Sequence, residues 1–232
     1  MRSIWRTLGP ELGRDIGLVC LADCLVGASY GVLAVSSGFE IWVPMMLSLL
    51  VFAGAAQFLF IGMIAAGGNP IAAVVAGLLV NTRHVPFGFA VAEVLGDGVL
   101  RRMAGSHLMI DENVAFSLAQ KDAERRRVAY WACGVGLFVC WNLGVVAGAF
   151  AGTAITDTDA FGLDAAFPAV LCALVLPSLK DRETRLAVLI GVVVALATTF
   201  FLPAGLPVLC AVVGVLVVLR KAKATETSEV AA

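Results

Sequence analysis

The run Asn81–His84 is the densest group of polar side chains inside an apolar stretch of this sequence, and Pro86 follows it. A guanidinium binds a carboxylate through paired, charge-assisted hydrogen bonds. Proline removes one backbone hydrogen bond and so frees a carbonyl group one turn earlier. Arg83 and Asn81 are therefore candidate substrate-binding residues for an anionic group. His84 is a candidate coupling residue, because imidazole exchanges a proton near neutral pH.

Three further polar residues, Asp23, Gln57 and Asn142, lie inside apolar stretches. Such residues are costly in a membrane and indicate either a functional site or hydrogen bonds between helices. We predict an ion pair between Asp23 and Arg83, with a proton relay as the alternative role of Asp23. For Gln57 both readings stay open, substrate binding or helix contact. Asn142 is likewise either a coupling or gating residue or a helix contact.

Asp111 and Glu112 lie in the polar string IDEN, just before a short apolar run. Carboxylates near the start of a helix are stabilised by its dipole, so the two residues either cap a helix or take part in gating. The sequence has no phosphate-binding glycine loop with lysine, no nucleophile elbow and no HExxH string. The six cysteines lie in apolar runs, as buried thiols do. We therefore predict neither an enzyme nor a bound cofactor or metal.

The composition does not fit a soluble domain. Hydrophobic residues make up 60% of the 232 and charged residues only 14%, against about half and about a quarter in soluble domains. A helix needs about 20 apolar residues to cross the hydrocarbon, and seven stretches approach that length. The sequence thus predicts an all-α polytopic membrane protein with about seven transmembrane helices, at 16–36, 41–66, 70–95, 128–152, 163–179, 186–202 and 205–219.

An internal repeat is indicated by the strings GFEIWVPMMLSLLV, from Gly38, and GLDAAFPAVLCALV, from Gly162, which align without gaps. Two consecutive halves of three spans each are inverted relative to one another, an arrangement common in transporters. We predict a three-plus-three inverted repeat and one extra helix. The predicted parts of the chain are an amphipathic segment 1–15, a first repeat 16–95, a cytoplasmic connecting segment 96–127, a second repeat 128–202, a last helix 203–219 and a disordered cytoplasmic tail 220–232. The connecting segment contains a short amphipathic helix over 107–120.

Basic residues cluster at 101–102, 121–127, 180–185 and 220–223. Lys and Arg concentrate in cytoplasmic loops of membrane proteins, so these clusters indicate topology rather than nucleic-acid binding and place the C-terminus in the cytoplasm. Seven spans then put the N-terminus outside. The alternative keeps the N-terminus inside and makes one early segment re-entrant.

Four strings occur in the order typical of the AzlC family: LVFAGAAQF around Gln57, VNTRHVPFG around Arg83, MIDENVAFSL around Asp111, and GLDAAFPAVLCALVLPSLKDR in the fifth predicted span. The sequence resembles this family over residues 17–219. The resemblance implies a multi-pass protein of the inner (cytoplasmic) membrane that exports leucine, isoleucine and valine. It also implies a small AzlD-type membrane subunit of about four spans as partner.

The leading hypothesis is a secondary exporter whose site lies near the membrane midplane. Arg83 would bind the carboxylate of the amino acid, and Asp23 or free carbonyl groups near Pro86 would bind its ammonium group. A non-transporting scaffold or assembly subunit is one alternative, in which Arg83 and Asp23 matter only as a structural pair. A channel for small solutes is another.

Overall fold

A computed structural model describes residues 4–154, 172, 176–202, 206–218 and 220. Every regular element in these ranges is helical, which confirms the predicted all-α class. The chain divides into two compact units, Met1–Gln57 with Val80–Leu163, and Phe58–Leu79 with Asp164–Ala232. The helices are α1 (Ile4–Ser36), α2 (Trp42–Leu50), α3 (Gly54–Ala65), α4 (Pro70–Asn81), α5 (His84–Ala90), α6 (Ala92–Leu95), α7 (Val99–His107), α8 (Asp111–Leu118), α9 (Ala123–Ala154), α10 (Arg182–Thr199) and α11 (Leu206–Cys210), with a 3-10 helix at Leu176–Lys180.

Helices α1 and α9 form the frame of the first unit, and they pack closely while running in the same direction. Successive glycines of α9 meet successive turns of α1: Gly136 lies against Cys20, Gly144 against Cys24, Gly148 against Ala28 and Gly152 against Val32. The contact is reciprocal, because a Cβ atom on Gly27 of α1 would lie 2.7 Å from the carbonyl oxygen of Trp141. Glycine permits this approach because it has no side chain to hold the backbones apart.

The shared direction of α1 and α9 contradicts the predicted inverted repeat, whose first helices would run in opposite directions. It also brings the start of α1 beside the basic run of α9, where Arg125 donates a hydrogen bond of 3.5 Å to the carbonyl of Leu8. Because basic residues mark the cytoplasmic side, this packing favours the alternative with the N-terminus inside. Helix α1 begins at Ile4 and is kinked at Gly9, where two helical pieces join, so the predicted segment 1–15 is helical from Ile4 onward on both sides of the kink.

The second and third predicted spans are both interrupted. Helix α2 ends at Leu50 and α3 begins at Gly54, and between them Phe52 adopts a positive φ of 44°. Helix α4 ends at Asn81 and α5 begins at His84. Backbone irregularity at membrane depth is tolerated only where it is buried in protein or lines a water-filled cavity. The two breaks are therefore the places in the first unit where a polar site is expected.

Within the predicted connecting segment 96–127, α7 and α8 form a hairpin that lies against α9. Near the start of α9, the Ser117 hydroxyl donates to the carbonyl of Arg126 at 3.1 Å. At the turn of the hairpin, His107 lies beside Phe138 with ring centroids 5.6 Å apart. The turn therefore lies roughly 15 residues, or about 22 Å, along α9. That position is near the middle of the apolar stretch Ala123–Ala154.

The second unit contains most of α3 and α4 together with α10 and α11. Met63 of α3 packs with Ala72, Ala73 and Ala76 of α4 in a small buried core. The side-chain oxygen of Asn69 accepts hydrogen bonds from two N–H groups in the first turn of α4, at 2.8 and 3.2 Å. Such a cap satisfies donors that have no partner within the helix.

Helix α10 begins with a second side-chain cap. The carboxylate of Asp181 accepts a hydrogen bond of 2.7 Å from the N–H of Thr184. This bond holds the pKa of Asp181 below its usual range. Further along, Gly191 lies close to the carbonyl of Ala211, so α10 and the apolar helix Leu206–Val218 are in contact.

Among the residues that the structure describes, three helical stretches are long and apolar enough to cross a membrane, Thr7–Ser36, Pro70–Ala90 and Ala123–Ala154. The sixth and seventh predicted spans correspond to α10 and to Leu206–Val218, which is shorter. The fifth predicted span and the second copy of the repeated string fall largely outside the described residues, as does the tail after Arg220. The count of seven and the internal duplication therefore stay predictions.

We expect Gly148→Val to disrupt the packing of α1 on α9, because a side chain at this position would overlap the carbonyl group of Ala28. Overpacking of this kind costs about 1–3 kcal/mol, so the protein purified in detergent should unfold at a temperature several degrees lower. Gly17→Val on α1 is the matched control, since nothing lies within 4 Å of its Cβ position. Equal losses in both variants would mean that helix propensity, not close packing, produces the effect.

Candidate substrate-binding site

Arg83 lies in the turn between α4 and α5 and forms an ion pair with Asp111, the first residue of α8. Nη1 of the guanidinium is 2.5 Å from Oδ2 of the carboxylate. The two side chains remain 37% and 41% exposed. The ion pair therefore joins the break in the third predicted span to the turn of the α7–α8 hairpin. Both of its side chains remain partly exposed at the surface of the protein.

Four polar atoms around this ion pair are buried and form no hydrogen bond to any described residue: Oδ1 of Asn81, Nε of Arg83, Nε2 of His84 and Oδ1 of Asp111. The other ring nitrogen of His84, Nδ1, lies 3.1 Å from the carbonyl oxygen of Asn81, which orients the ring. A buried polar atom without a partner costs about 1–3 kcal/mol, and native structures retain few. Their concentration around one ion pair is typical of a site that receives the polar groups of a ligand.

Asp23 is not the partner of Arg83, contrary to our prediction. It is half-buried on α1 and interacts electrostatically with Glu112 of α8. Glu112 interacts in turn with Asp111 and Arg83. The hairpin thus brings two carboxyl groups that the sequence placed in an aqueous segment close to Arg83. Asp111 and Glu112 thus place two carboxyl groups near one guanidinium, and their oxygens are acceptors for a cationic group of a ligand.

Gln57 and Asn142 make contacts that support their structural alternative. The side-chain oxygen of Gln57 accepts a hydrogen bond of 3.2 Å from the N–H of Ala53, just before α3, and its side chain also interacts with the hydroxyl of Tyr30. Asn142 accepts a hydrogen bond of 2.7 Å from the hydroxyl of Ser48 and donates one to a backbone carbonyl one turn earlier in α9. These bonds stabilise the α2–α3 break and its packing on the frame, and a role of either residue in transport stays a prediction.

Aromatic rings meet where the α2–α3 break approaches the α7–α8 hairpin. Phe52 packs edge-on against Phe138 at 5.0 Å and lies 6.3 Å from the ring of His107. An aromatic residue in an apolar stretch carries no signal of its neighbours, so this cluster could not be predicted. Ser48 and Asn113 were also missed, although both are fully buried polar residues. For Ser48, its position within an apolar run was the available signal.

Long apolar helices, two helix breaks and an accessible ion pair at one break define a helical membrane protein with the features of a transporter. The chain belongs to the AzlC family, because the family model described as AzlC protein matches residues 19–155. The matched range contains the ion pair and all the polar atoms that surround it.

Relatives extend the similarity beyond this range. A protein of Archaeoglobus fulgidus named as an uncharacterized membrane protein is 31% identical over 181 residues, covering 75% of this chain and 78% of the relative. The branched-chain amino acid transport protein AzlC of Bacillus subtilis is 23% identical over 202 residues, with 84% and 79% covered. The inner membrane protein YgaZ of Escherichia coli is 29% identical over 199 residues, with 77% and 76% covered. No solved structure matches the chain.

The accessibility of the ion pair predicts that Asp111→Asn changes the stability of the fold little. Exposed ion pairs contribute about 0–1 kcal/mol, whereas breaking a sealed pair costs about 3–5 kcal/mol. Thermal unfolding in detergent measures the difference. Asn113→Ala is the comparison in the same helix, because Asn113 is fully buried and bonds to the backbone of Ile110 and Leu108 at 2.9 and 2.8 Å. We expect the larger loss in Asn113→Ala. A larger loss in Asp111→Asn would identify the ion pair as a structural lock.

Proposed function

We propose that the chain is a secondary transporter that exports leucine, isoleucine and valine from the cytoplasm. The observation that carries this proposal is the accessible ion pair of Arg83 and Asp111 at a helix break, with unpartnered polar atoms around it. The family resemblance supports the substrate class, as does the name of the Bacillus subtilis relative. These supports favour a binding site for small zwitterions over a purely structural pair.

Binding would begin with an exchange of partners at Arg83. The carboxylate of the amino acid replaces Asp111, which requires little energy because an accessible ion pair is stabilised by only about 1 kcal/mol. The free Nε of Arg83 then donates a second hydrogen bond, so that the guanidinium binds the carboxylate with two donors. Asp111 becomes available for the ammonium group, with the unpartnered Oδ1 of Asn81 as a further acceptor. Arg83, Asp111 and the two charges of the substrate each have an opposite partner before and after the exchange.

Recognition through both charges selects for zwitterions, and the side chain of the substrate is distinguished by apolar contacts. Phe52 and Phe138 supply aromatic surface at the hairpin turn that carries Asp111. One methylene in an apolar pocket is worth only about 1–3 kcal/mol. Leucine, isoleucine and valine would therefore share the site, while a charged or strongly polar side chain would be excluded.

The direction of the helices supports a specific topology. Since α1 and α9 are parallel, an odd number of crossings must separate them, and Pro70–Ala90 supplies one. We therefore infer that α2 and α3 enter and leave the membrane on the outer side. The contacts of this segment with α9 agree with such a reversal. Ser48 lies beside position 142 and Phe52 beside position 138, farther back along α9, whereas Gly54 lies again near position 141, so the chain reverses its course at the break. The basic clusters support a cytoplasmic C-terminus, and the cytoplasmic membrane as location is part of the proposal through the family resemblance.

A small AzlD-type subunit of about four spans is part of the proposal on the strength of the family resemblance. Helix α10 has exposed apolar residues, among them Leu189, Val193 and Leu196, that lipid or such a subunit would cover. Co-purification of the tagged chain with a short membrane protein encoded beside it is the direct measurement. Export by the chain alone would remove the subunit from the mechanism and leave the site as proposed.

Arg83→Ala should abolish export, because loss of hydrogen bonds from a charged donor costs about 1.5–3 kcal/mol, or roughly tenfold to a hundredfold in affinity. The measurement is the intracellular leucine concentration in a deletion strain that carries each variant and is fed a leucine-containing dipeptide. We expect Arg83→Ala to accumulate leucine like the deletion strain. Arg182→Ala is the matched control, since Arg182 is exposed at the start of α10, and should export normally.

The scaffold hypothesis makes the opposite prediction for a charge swap. If the ion pair is only structural, Arg83→Asp combined with Asp111→Arg should restore both expression and export. We expect expression to recover and export to stay lost, because the swapped pair presents the wrong charge to each end of the substrate.

Competition assays test the recognition of both charges. Leucinamide lacks the carboxylate and 4-methyl-2-oxopentanoate lacks the ammonium group, so neither should compete with leucine. Normal export by Arg83→Ala at normal expression would disprove the transport role of this residue.

A further inference from the structure

The outward face of α7 carries exposed apolar side chains. Val99, Leu100 and Met103 are 74%, 84% and 64% exposed. The opposite face of α7 packs against the rest of the protein at Gly105, where a Cβ atom would lie 2.6 Å from Cδ2 of Leu95. At 100° per residue, the three apolar residues stand about 120–160° from Gly105 around the helix axis. They therefore point away from the protein.

The start of α7 lies at the level where α9 enters its apolar stretch. The hydroxyl of Tyr130 donates a hydrogen bond of 2.8 Å to the carbonyl of Gly105. Tyr130 follows the basic run Arg125–Arg127 by one turn of α9. Helix α7 runs parallel to α9, because His107, which follows Gly105, lies farther along at Phe138. The first turn of α7 is thus within about one turn of the basic run of α9, where Arg101 contacts Trp131, and basic runs beside apolar spans are typical of the headgroup level on the cytoplasmic side.

Three arginines surround this first turn. The guanidinium of Arg101 stacks over the ring of Trp131 at 5.6 Å. Nε of Arg102 donates to the carbonyl of Gly96 at 3.2 Å, and Arg127 reaches a backbone carbonyl just after α6 begins, at 3.5 Å. All three side chains are exposed. Each contact uses part of a guanidinium group with five N–H donors, so donors remain for an anion.

We propose that this surface binds an anionic phospholipid of the cytoplasmic leaflet, with the acyl chains against Val99, Leu100 and Met103 and the phosphate at the arginines. Arginine binds phosphate through paired hydrogen bonds, and long basic side chains reach from apolar surface to the headgroup level. The three arginines outnumber Glu93 of α6 and Asp97, the two carboxylates that immediately precede α7 in the chain. Free phosphate would leave the apolar side chains uncovered, whereas a phospholipid satisfies both parts of the surface.

Trp131 provides a reporter because it contacts Arg101. The protein is placed in nanodiscs that contain brominated phosphatidylglycerol or brominated phosphatidylcholine in equal fraction. The sequence has four tryptophans. Trp131→Phe protein, measured in parallel, gives the fluorescence and quenching of the other three, which are subtracted. We expect brominated phosphatidylglycerol to quench Trp131 at least twofold more than brominated phosphatidylcholine. The excess should fall with added salt in the unaltered protein, since the attraction is electrostatic.

Arg101→Gln combined with Arg102→Gln should remove the excess quenching. Arg182→Gln combined with Arg185→Gln is the matched control, because it removes the same charge from α10, and it should keep the excess. Equal quenching by the two lipids would overturn the proposal. So would the absence of quenching by either lipid, which would mean that another subunit or a second copy covers the surface. Complete removal of the excess by millimolar inorganic phosphate at constant ionic strength would show that the site binds the phosphate group alone, and would also overturn it.

Discussion

Backbone N–H and C=O groups inside a membrane need hydrogen-bond partners from the protein or from enclosed water. The first unit breaks two helices at membrane depth, and its polar residues lie where these breaks leave backbone groups without helical partners. Gln57 accepts a hydrogen bond from the N–H of Ala53 at one break. His84 lies with Nδ1 near the carbonyl of Asn81 at the other. The first break retains one side-chain atom without a hydrogen bond to any described residue, Nε2 of Gln57, whereas four cluster around the Arg83–Asp111 ion pair at the second, which is why we place the substrate there.

The breaks are held in position by a frame that does not depend on them. Glycines along α1 and α9 bring the two backbones into contact over most of their length. The α7–α8 hairpin is attached to this frame by neutral hydrogen bonds, from Tyr130 to the carbonyl of Gly105 at 2.8 Å and from Ser117 to the carbonyl of Arg126 at 3.1 Å. The charged groups at its turn therefore contribute little to attachment. They are free to exchange partners without loosening the frame, as a transport cycle requires.

The sequence predicted one side of the ion pair and not the other. Arg83 stands out because a guanidinium inside an apolar stretch needs an explanation. Asp111 belongs to a polar segment, where a carboxylate needs none, and only the depth of the hairpin brings it to Arg83. That depth is set by contacts such as His107 with Phe138, which connect distant parts of the chain. Asp23, the carboxylate that hydropathy did single out, interacts with Glu112 instead.

The sequence likewise indicated one of the two helix breaks, but it indicated neither the other break nor the directions of the helices. Pro86 indicated an irregularity in the third predicted span, and the break lies at 82–83, up to four residues earlier, where a proline disturbs the backbone. At the other break, Phe52 itself adopts the positive φ, although the nearest glycine is Gly54, two residues later at the start of α3. The alternation of spans favoured an inverted repeat because each apolar stretch was counted as one crossing. A stretch that enters and leaves on one side has the same composition, so only the packing of α1 on α9 distinguishes the two topologies.

In the proposed topology, the turns of α2–α3 and α7–α8 approach the membrane centre from opposite sides and meet at Phe52 and His107, with ring centroids 6.3 Å apart. The barrier beside the site is then a contact between a few side chains, not a layer of whole helices. Movement of one hairpin would open it, while the glycine contacts keep α1 on α9. Asp111 links the inner hairpin to Arg83 at the start of α5, where Met109 also packs near Phe87. A substrate carboxylate that takes the place of Asp111 therefore removes the charged one of these contacts from the hairpin whose movement would open the site, which couples binding to access.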